Sequence, residues 1–361
     1  MSNPDKRSLD TTLSHGEAQN LDLKSNSLPV VRAGDPVEGS EQSFQAKIRI
    51  VNDGTEVAKV YDHKDLFQLL DLTNEEVRRT LMEREVTCLN ALSNSVNARI
   101  EEILTPEGTM ESAIVMKRFP AHEFLFRRLA ANEELRRDHL EKLADTICTF
   151  HFNPSACPFE PTQLSNFLTD LLSTERKLLT QFATQDPATL KKVEGWFATM
   201  DRLISDNKDK LNVIGVYLAE PVLGHGDLKS LNIVFSESGD VHVLDVAPYH
   251  LWQVNTRRMD AMFFKAEMTL IGREEEAKVF FDRYDSEYKR RQAQLGKQYD
   301  SSDIVDETLK QLDVVAEFYR YIIFYRLTFL GVDPERAPRS AQLLDEVVNR
   351  ANTMLGSGNV E

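Results

Sequence analysis

Between two long stretches of helical periodicity the chain carries a short segment of a different kind, and nothing else in the sequence constrains the fold as tightly. It runs HGDLKSLNIVF from His225, then Ser238-Gly239-Asp240, then VHVLDV through Asp245. Two apolar runs about a glycine turn predict a compact β-hairpin. The helical half of this chain must therefore bury a hairpin within it.

Upstream, the period changes at Pro120. FQAKIRI and EVAKVY alternate apolar with polar residues about Asn52-Asp53-Gly54-Thr55 and read as a hairpin with an Asp-Gly turn. Thr73, followed three residues later by Glu76, opens an amphipathic helix that runs to Leu92. Further strands are expected at 98–103 and 112–117, about Pro106-Glu107-Gly108. After Pro120, apolar positions at intervals of three and four predict helices at 121–131, 132–152, 163–182 and 187–211. Past the hairpin they predict helices at 257–270, 274–291, 302–330 and 339–355. Residues 1–40 are polar and aperiodic, expected as a disordered arm in which Val30-Val31-Arg32 pairs with something. The fold class is thus α+β and bilobal, with a small β-rich lobe at 41–119 and a larger helical lobe at 120–361. No GxxxxGK phosphate loop and no GxGxxG fingerprint is present.

Charge and cysteine content narrow the function classes. Lys and Arg number 43 against 58 Asp and Glu, a formal charge of −15, which repels polyanions and argues against a nucleic-acid partner. Cys88, Cys148 and Cys157 are too few and too scattered for a disulfide framework or a paired CxxC zinc site. Neither a signal peptide nor an apolar run of membrane-spanning length is visible, so a soluble, cytoplasmic protein is expected.

Spacing within the hairpin segment points to phosphoryl transfer, which needs a carboxylate beside the attacking hydroxyl, oxygen ligands for a metal and cations for the moving charge. Asp227 stands five residues before Asn232, so one loop presents a carboxylate and a carboxamide. Asp245 follows thirteen residues later, where the hairpin returns beside that loop. Singly, each has a plainer reading: HGD as a surface turn, Asn232 as a loop former, Asp245 as an aspartate holding backbone N–H groups. Together they match a catalytic Asp with two oxygen ligands for Mg²⁺.

The stretch HGDLKSLNIVF…VHVLDV resembles the aminoglycoside phosphotransferase family of the protein-kinase-like fold. It is most similar to an uncharacterised bacterial branch, with VMKRFPAHEFLFRRL, LADTICTFH and DAMFFKAEMTLIGREEEAKVFFDRY as landmarks across roughly residues 45–330. That resemblance implies that Asp227 is the catalytic base or acceptor-orienting residue, that Asn232 and Asp245 ligate Mg²⁺, and that Asp260 supports the loop from a helix. His225 is implied to be a catalytic-loop residue that braces the loop, either in direct contact with the chemistry or in a purely packing role. In the small lobe, Lys59 is implied to bind the ATP phosphates, with Glu85 preferred over Glu83 as its partner. Met116 and Phe119, in MKRF, are implied to form the hinge beside the adenine.

Two features depart from the family. Lys229 replaces a common histidine, as in protein kinases, and either reaches the transferred phosphoryl or faces solvent. No glycine-rich loop is evident; only Asn52-Asp53-Gly54 lies between Phe44 and Lys59, and GDPVEGS at 34–40 lacks the kinase spacing. The expected function is ATP- and Mg²⁺-dependent transfer of the γ-phosphoryl group to a hydroxyl of a small molecule. A protein kinase is the second reading, favoured by Lys229 but without DFG and APE landmarks about DVAPY. A nucleotide-binding scaffold is the third. Glu267 either meets an amine-rich acceptor or is solvated.

Overall fold

Alternation along the strands divides the sheet of the small lobe into two faces with different neighbours. In a computed structural model, the described residues are 31–32, 46–61, 73–92, 95–153, 163–183, 186–218, 222–246, 254–255, 257–294, 303–329, 331 and 334–357. The sheet comprises β1 (Val31–Arg32), β2 (Ala46–Val51), β3 (Glu56–Tyr61), β4 (Arg99–Leu104) and β5 (Met110–Lys117), in the order β1-β4-β5-β3-β2. Neighbours are antiparallel except β1, which lies parallel to β4 with Val31 opposite Ile103. One face gathers Val51, Ala58, Val60, Ile103, Ala113 and Val115 into a small apolar cluster. The residues between them, including Tyr61, Ile114 and Met116, join the main core with α1 (Glu75–Leu92). Because side chains alternate with a period of two, Lys59 and Tyr61 share a face opposite to Ala58 and Val60.

The helical part contains α2 (Leu125–Ala130), α3 (Arg137–His151), α4 (Leu164–Ala183), α5 (Pro187–Asp206) and α6 (Lys208–Leu218). After the hairpin come α7 (Arg257–Leu270), α8 (Glu274–Gln294), α9 (Asp303–Phe329) and α10 (Ala337–Ser357). The hairpin is β7 (Ile233–Phe235) with β8 (Val241–Val243), and β6 (Val222–Leu223) pairs with β9 (Val254–Asn255). All six hairpin side chains are buried, beside Leu143 of α3 and Phe264 of α7. A second core joins α4, α5, α7, α9 and α10 through Leu168, Phe197, Ala266, Phe318 and Leu344. No helix among the described residues is long and apolar enough to cross a membrane.

Local chemistry moves several boundaries away from those read in the sequence. Asn74, not Thr73, starts α1, its Oδ1 accepting from the backbone N–H of Glu76 at 2.9 Å. The helix expected over 121–131 breaks at the extended Phe124, giving a 3₁₀ turn and then α2. The helix expected from 132 begins only at Arg137, since Asn132 adopts φ 56°, a left-handed conformation that no α-helix continues through. The expected 187–211 helix divides at Asn207, whose side chain turns back to donate to the Leu203 carbonyl. Val31–Arg32 pairs with β4 as expected for the VVR segment, while Cys157, GDPVEGS and the part of DVAPY beyond Val246 lie outside the described residues.

Candidate active site

Lys59 would be an expensive residue to bury alone, and the fold provides it with two carboxylates. On α1, Glu85 lies four residues after Leu81 and four before Leu89, so it shares their buried face, whereas Glu83 points outward to Arg79. Lys59 Nζ lies 2.8 Å from Glu85 Oε1 and also contacts Asp245 Oδ1 across the interface of the two lobes. The Tyr61 hydroxyl donates to the other Glu85 oxygen, Oε2. Burial opposes the charge on Lys59, but Asp245 and Glu85 outweigh it and hold its pKa well above that of a free lysine. Burial and the adjacent Glu85 raise the Tyr61 pKa, so its phenol stays protonated and keeps donating.

The loop carrying Asp227 is held from below by carboxylates that grip its backbone. Gly226 takes φ 76°, which a glycine adopts without a Cβ penalty. Asp260, fully buried near the start of α7, accepts from the N–H groups of His225 at 2.5 Å and Gly226 at 2.9 Å, and from His151 Nε2 at 2.9 Å. Burial disfavours the Asp260 charge, yet these donors hold its pKa below the usual aspartate value. His225 donates from Nε2 to the Leu244 carbonyl at 2.9 Å, and its Nδ1 accepts from the Asp227 N–H at 3.3 Å. Burial depresses the His225 pKa, consistent with the neutral ring this pattern requires. The histidine therefore spans the loop and the end of β8, as a brace rather than a group facing a reactant.

Two further cations meet Asp227 itself. Lys229 Nζ contacts Oδ2, and Arg320 of α9 reaches Oδ1 at 3.2 Å. Asn232 donates from Nδ2 to the Asp227 carbonyl at 2.9 Å, which leaves its carbonyl oxygen Oδ1 as the end available to a cation. The Asn232 carbonyl accepts from the Leu244 N–H at 2.7 Å, extending the hairpin ladder by one step and setting Asp245 beside the loop. Asp245 adopts φ 56° and its side chain is 50% exposed. Burial works against its ionisation, but Lys59 and Lys229 outweigh it and keep the carboxyl below its usual range. Asn232 Oδ1 and the Asp245 carboxylate are hard oxygen donors of the type Mg²⁺ takes when phosphates complete its shell. Among the described residues no group of three or more His, Cys, Asp or Glu side chains gathers as a closed metal site.

Other residues singled out in the sequence lie at the edge of this cluster. Met116 ends the buried part of β5, opposite Val57. Phe119 is buried against His242, their ring centroids 4.7 Å apart, so its side chain is committed to packing. The Asn52–Gly54 turn rests on Arg118, which donates to the Gly54 carbonyl at 3.3 Å, and thus lies at the MKRF end of the β2–β3 pair. Glu267, expected on the surface, is instead buried; its two oxygens accept from the Ser230 N–H at 2.7 Å and hydroxyl at 2.8 Å. Burial raises the Glu267 pKa. Arg320 and Tyr61 escaped sequence reasoning, although Tyr61, two residues after Lys59 on a strand, carried a usable signal.

No family model and no curated protein matches the chain. Solved structures do. Choline kinase from Cryptosporidium parvum Iowa II superposes with a TM-score of 0.58 at 13% identity, covering 93% of each chain. The GDP complex of wild-type aminoglycoside 2′-phosphotransferase-IIIa superposes with a TM-score of 0.50 at 12% identity, covering 91% of this chain and 95% of that one. At such identities the likeness is one of fold.

Proposed function

Starting from the protein-kinase-like fold that this chain has in common with a choline kinase and an aminoglycoside phosphotransferase, we propose that it transfers the γ-phosphoryl group of ATP to a hydroxyl of a small molecule. The observation that carries this reading is the meeting, at one interface, of Lys59 from the sheet with Asp245, Asn232 and Asp227 from the loop and hairpin. In this reading Lys59, steadied by Glu85, binds the ATP phosphates. Asp227 orients the acceptor hydroxyl and takes its proton as the oxygen attacks phosphorus. Lys229 stands beside that carboxylate and follows the charge on the moving group. Asn232 and Asp245 would hold Mg²⁺, which supplies charge neutralisation to the phosphates when bound. Met116 and Phe119 place backbone groups at the adenine edge. The lobes divide at about residue 120, where the nucleotide sits between 41–119 and 120–361.

A nucleotide-binding scaffold is the competing reading, favoured by the absence of a glycine-rich turn among the described residues. Isothermal titration with ATP, with and without Mg²⁺, tests the nucleotide site in wild type and Asp245→Ala. Mg²⁺-dependent binding in wild type, weakened at least about 10-fold in the variant, is the expected result. Absence of binding by wild type at millimolar ATP would overturn the proposal. ADP release against a panel of hydroxyl compounds then separates transfer from a scaffold.

A further inference from the structure

We propose that Arg320 is a positioning residue for Asp227, an inference that rests on the phosphotransferase reading above. Arg320 comes from the middle of α9, 93 residues from Asp227 in sequence, and its side chain is only 4% exposed. Its guanidinium lies over the ring of Phe324 at 4.7 Å and that of Phe263 at 5.7 Å, so two aromatic faces fix its plane. From there Nη1 donates to Asp227 Oδ1.

This contact decides which way the carboxylate turns. With Oδ1 engaged in the buried direction, Oδ2, the oxygen that Lys229 also meets, is left as the proton acceptor toward the opening. The carboxylate could otherwise rotate about its last torsion, which is broad for aspartate. Arg320 thus ties α9 to the reacting group without touching a reactant.

A second observation separates this role from ordinary packing. The Nε donor of Arg320 is buried with no hydrogen-bond partner among the described residues. A buried guanidinium with an unsatisfied donor is costly to hold between aromatic rings, and it faces two carboxylates, Asp227 by a hydrogen bond and the buried Glu267 by charge. Of the two, Asp227 is the one whose orientation its hydrogen bond sets.

Water serves as the acceptor in the test, so no substrate need be known. Its oxygen forms a bond to the γ-phosphorus while the bond to the β–γ bridging oxygen breaks, the electron pair leaving with ADP. The water proton passes to Asp227 and on to solvent, and the products are ADP and inorganic phosphate. Hydrolysis of Mg²⁺-ATP, its KM, and thermal unfolding are measured for wild type, Arg320→Met and Arg320→Lys.

For Arg320→Met the expected result is a kcat about 100-fold lower, a misplacement-sized loss, with KM within about twofold, and a lower melting temperature, because the variant also leaves the buried Glu267 without the cation beside it. Arg320→Lys should recover part of the loss, because it restores the charge but not the planar fork. A kcat for Arg320→Met within about threefold of wild type, or a kcat that recovers in Arg320→Lys to the same extent as the melting temperature, overturns the assignment and leaves the phosphotransferase reading standing. Wild type that binds Mg²⁺-ATP without hydrolysing it overturns the assignment and favours a scaffold. Wild type that does not bind Mg²⁺-ATP removes both.

Discussion

The two halves of the candidate site are secured by opposite means. On the sheet side, the ammonium of Lys59 is held by side chains, shared between Glu85 of its own lobe and Asp245 of the other. On the helical side, Asp260 and Glu267 grip backbone N–H groups of the loop at His225, Gly226 and Ser230. A backbone grip fixes where the chain runs; a shared lysine fixes a charge balance that a nucleotide can replace. In the phosphotransferase reading, the loop stays and the bridge is what a nucleotide exchanges.

Removing Asp260 should show the largest effect. Asp260→Ala leaves two buried backbone donors and the His151 ring without their acceptor, a cost of about 3–5 kcal/mol read by urea unfolding. The folded-state pKa of Asp260 lies below the usual 3.8, so its stabilisation is complete above that value and lost as the pH falls through the folded pKa. The wild-type advantage over Asp260→Ala should accordingly be full at pH 6 and shrink below pH 3.8. An equal advantage throughout would mean that the carboxylate charge is not what grips the loop.

The bridge should behave differently. Lys59→Met alone strands Glu85 in the core, whereas Lys59→Met combined with Glu85→Leu replaces the pair by apolar volume. That double variant should unfold within about 1–3 kcal/mol of wild type, the cost of the Tyr61 hydroxyl left without its acceptor, yet lose Mg²⁺-ATP binding at least about 10-fold by titration. Should it instead unfold as readily as Asp260→Ala, the contrast between a fixed loop and an exchangeable bridge collapses.

Tyr61→Phe probes the same bridge more gently. It removes one donor from Glu85 and leaves Lys59 in place, so a stability loss of about 1–2 kcal/mol and a fewfold weaker Mg²⁺-ATP affinity are expected. An affinity unchanged beside that stability loss would confine Tyr61 to the core.

What the sequence made legible follows the same divide. Asp227, Asn232 and Asp245 were visible because their spacing is local and the hairpin between them has a sequence signature. The choice of Glu85 over Glu83 as the partner of Lys59 came from a family landmark, although the helical period alone separates them. Glu267 and Arg320 reach the loop from 37 and 93 residues away, and no local pattern encodes a contact at that separation. Each did leave a trace, as a charged residue on a helix whose neighbours are apolar. The missed start of α3 is of another kind: Asn132 is among the few residue types that enter the left-handed region readily, so an asparagine ahead of a helical pattern was a stop signal taken for part of the helix.

The two-residue strand Val31–Arg32 has a bearing on how the protein would be handled. By lying parallel to Ile103 and Leu104 it occupies one border of the five-stranded sheet. An unpaired border is a template on which strands of other molecules can add. A shortened chain that begins at residue 41 would lose that cover and expose the backbone of β4, next to the half-open Ile100. Such a truncation, natural for a polar arm dispensable by composition, would leave the cluster around Lys59 and Asp227 intact while turning a covered sheet edge into an adhesive one.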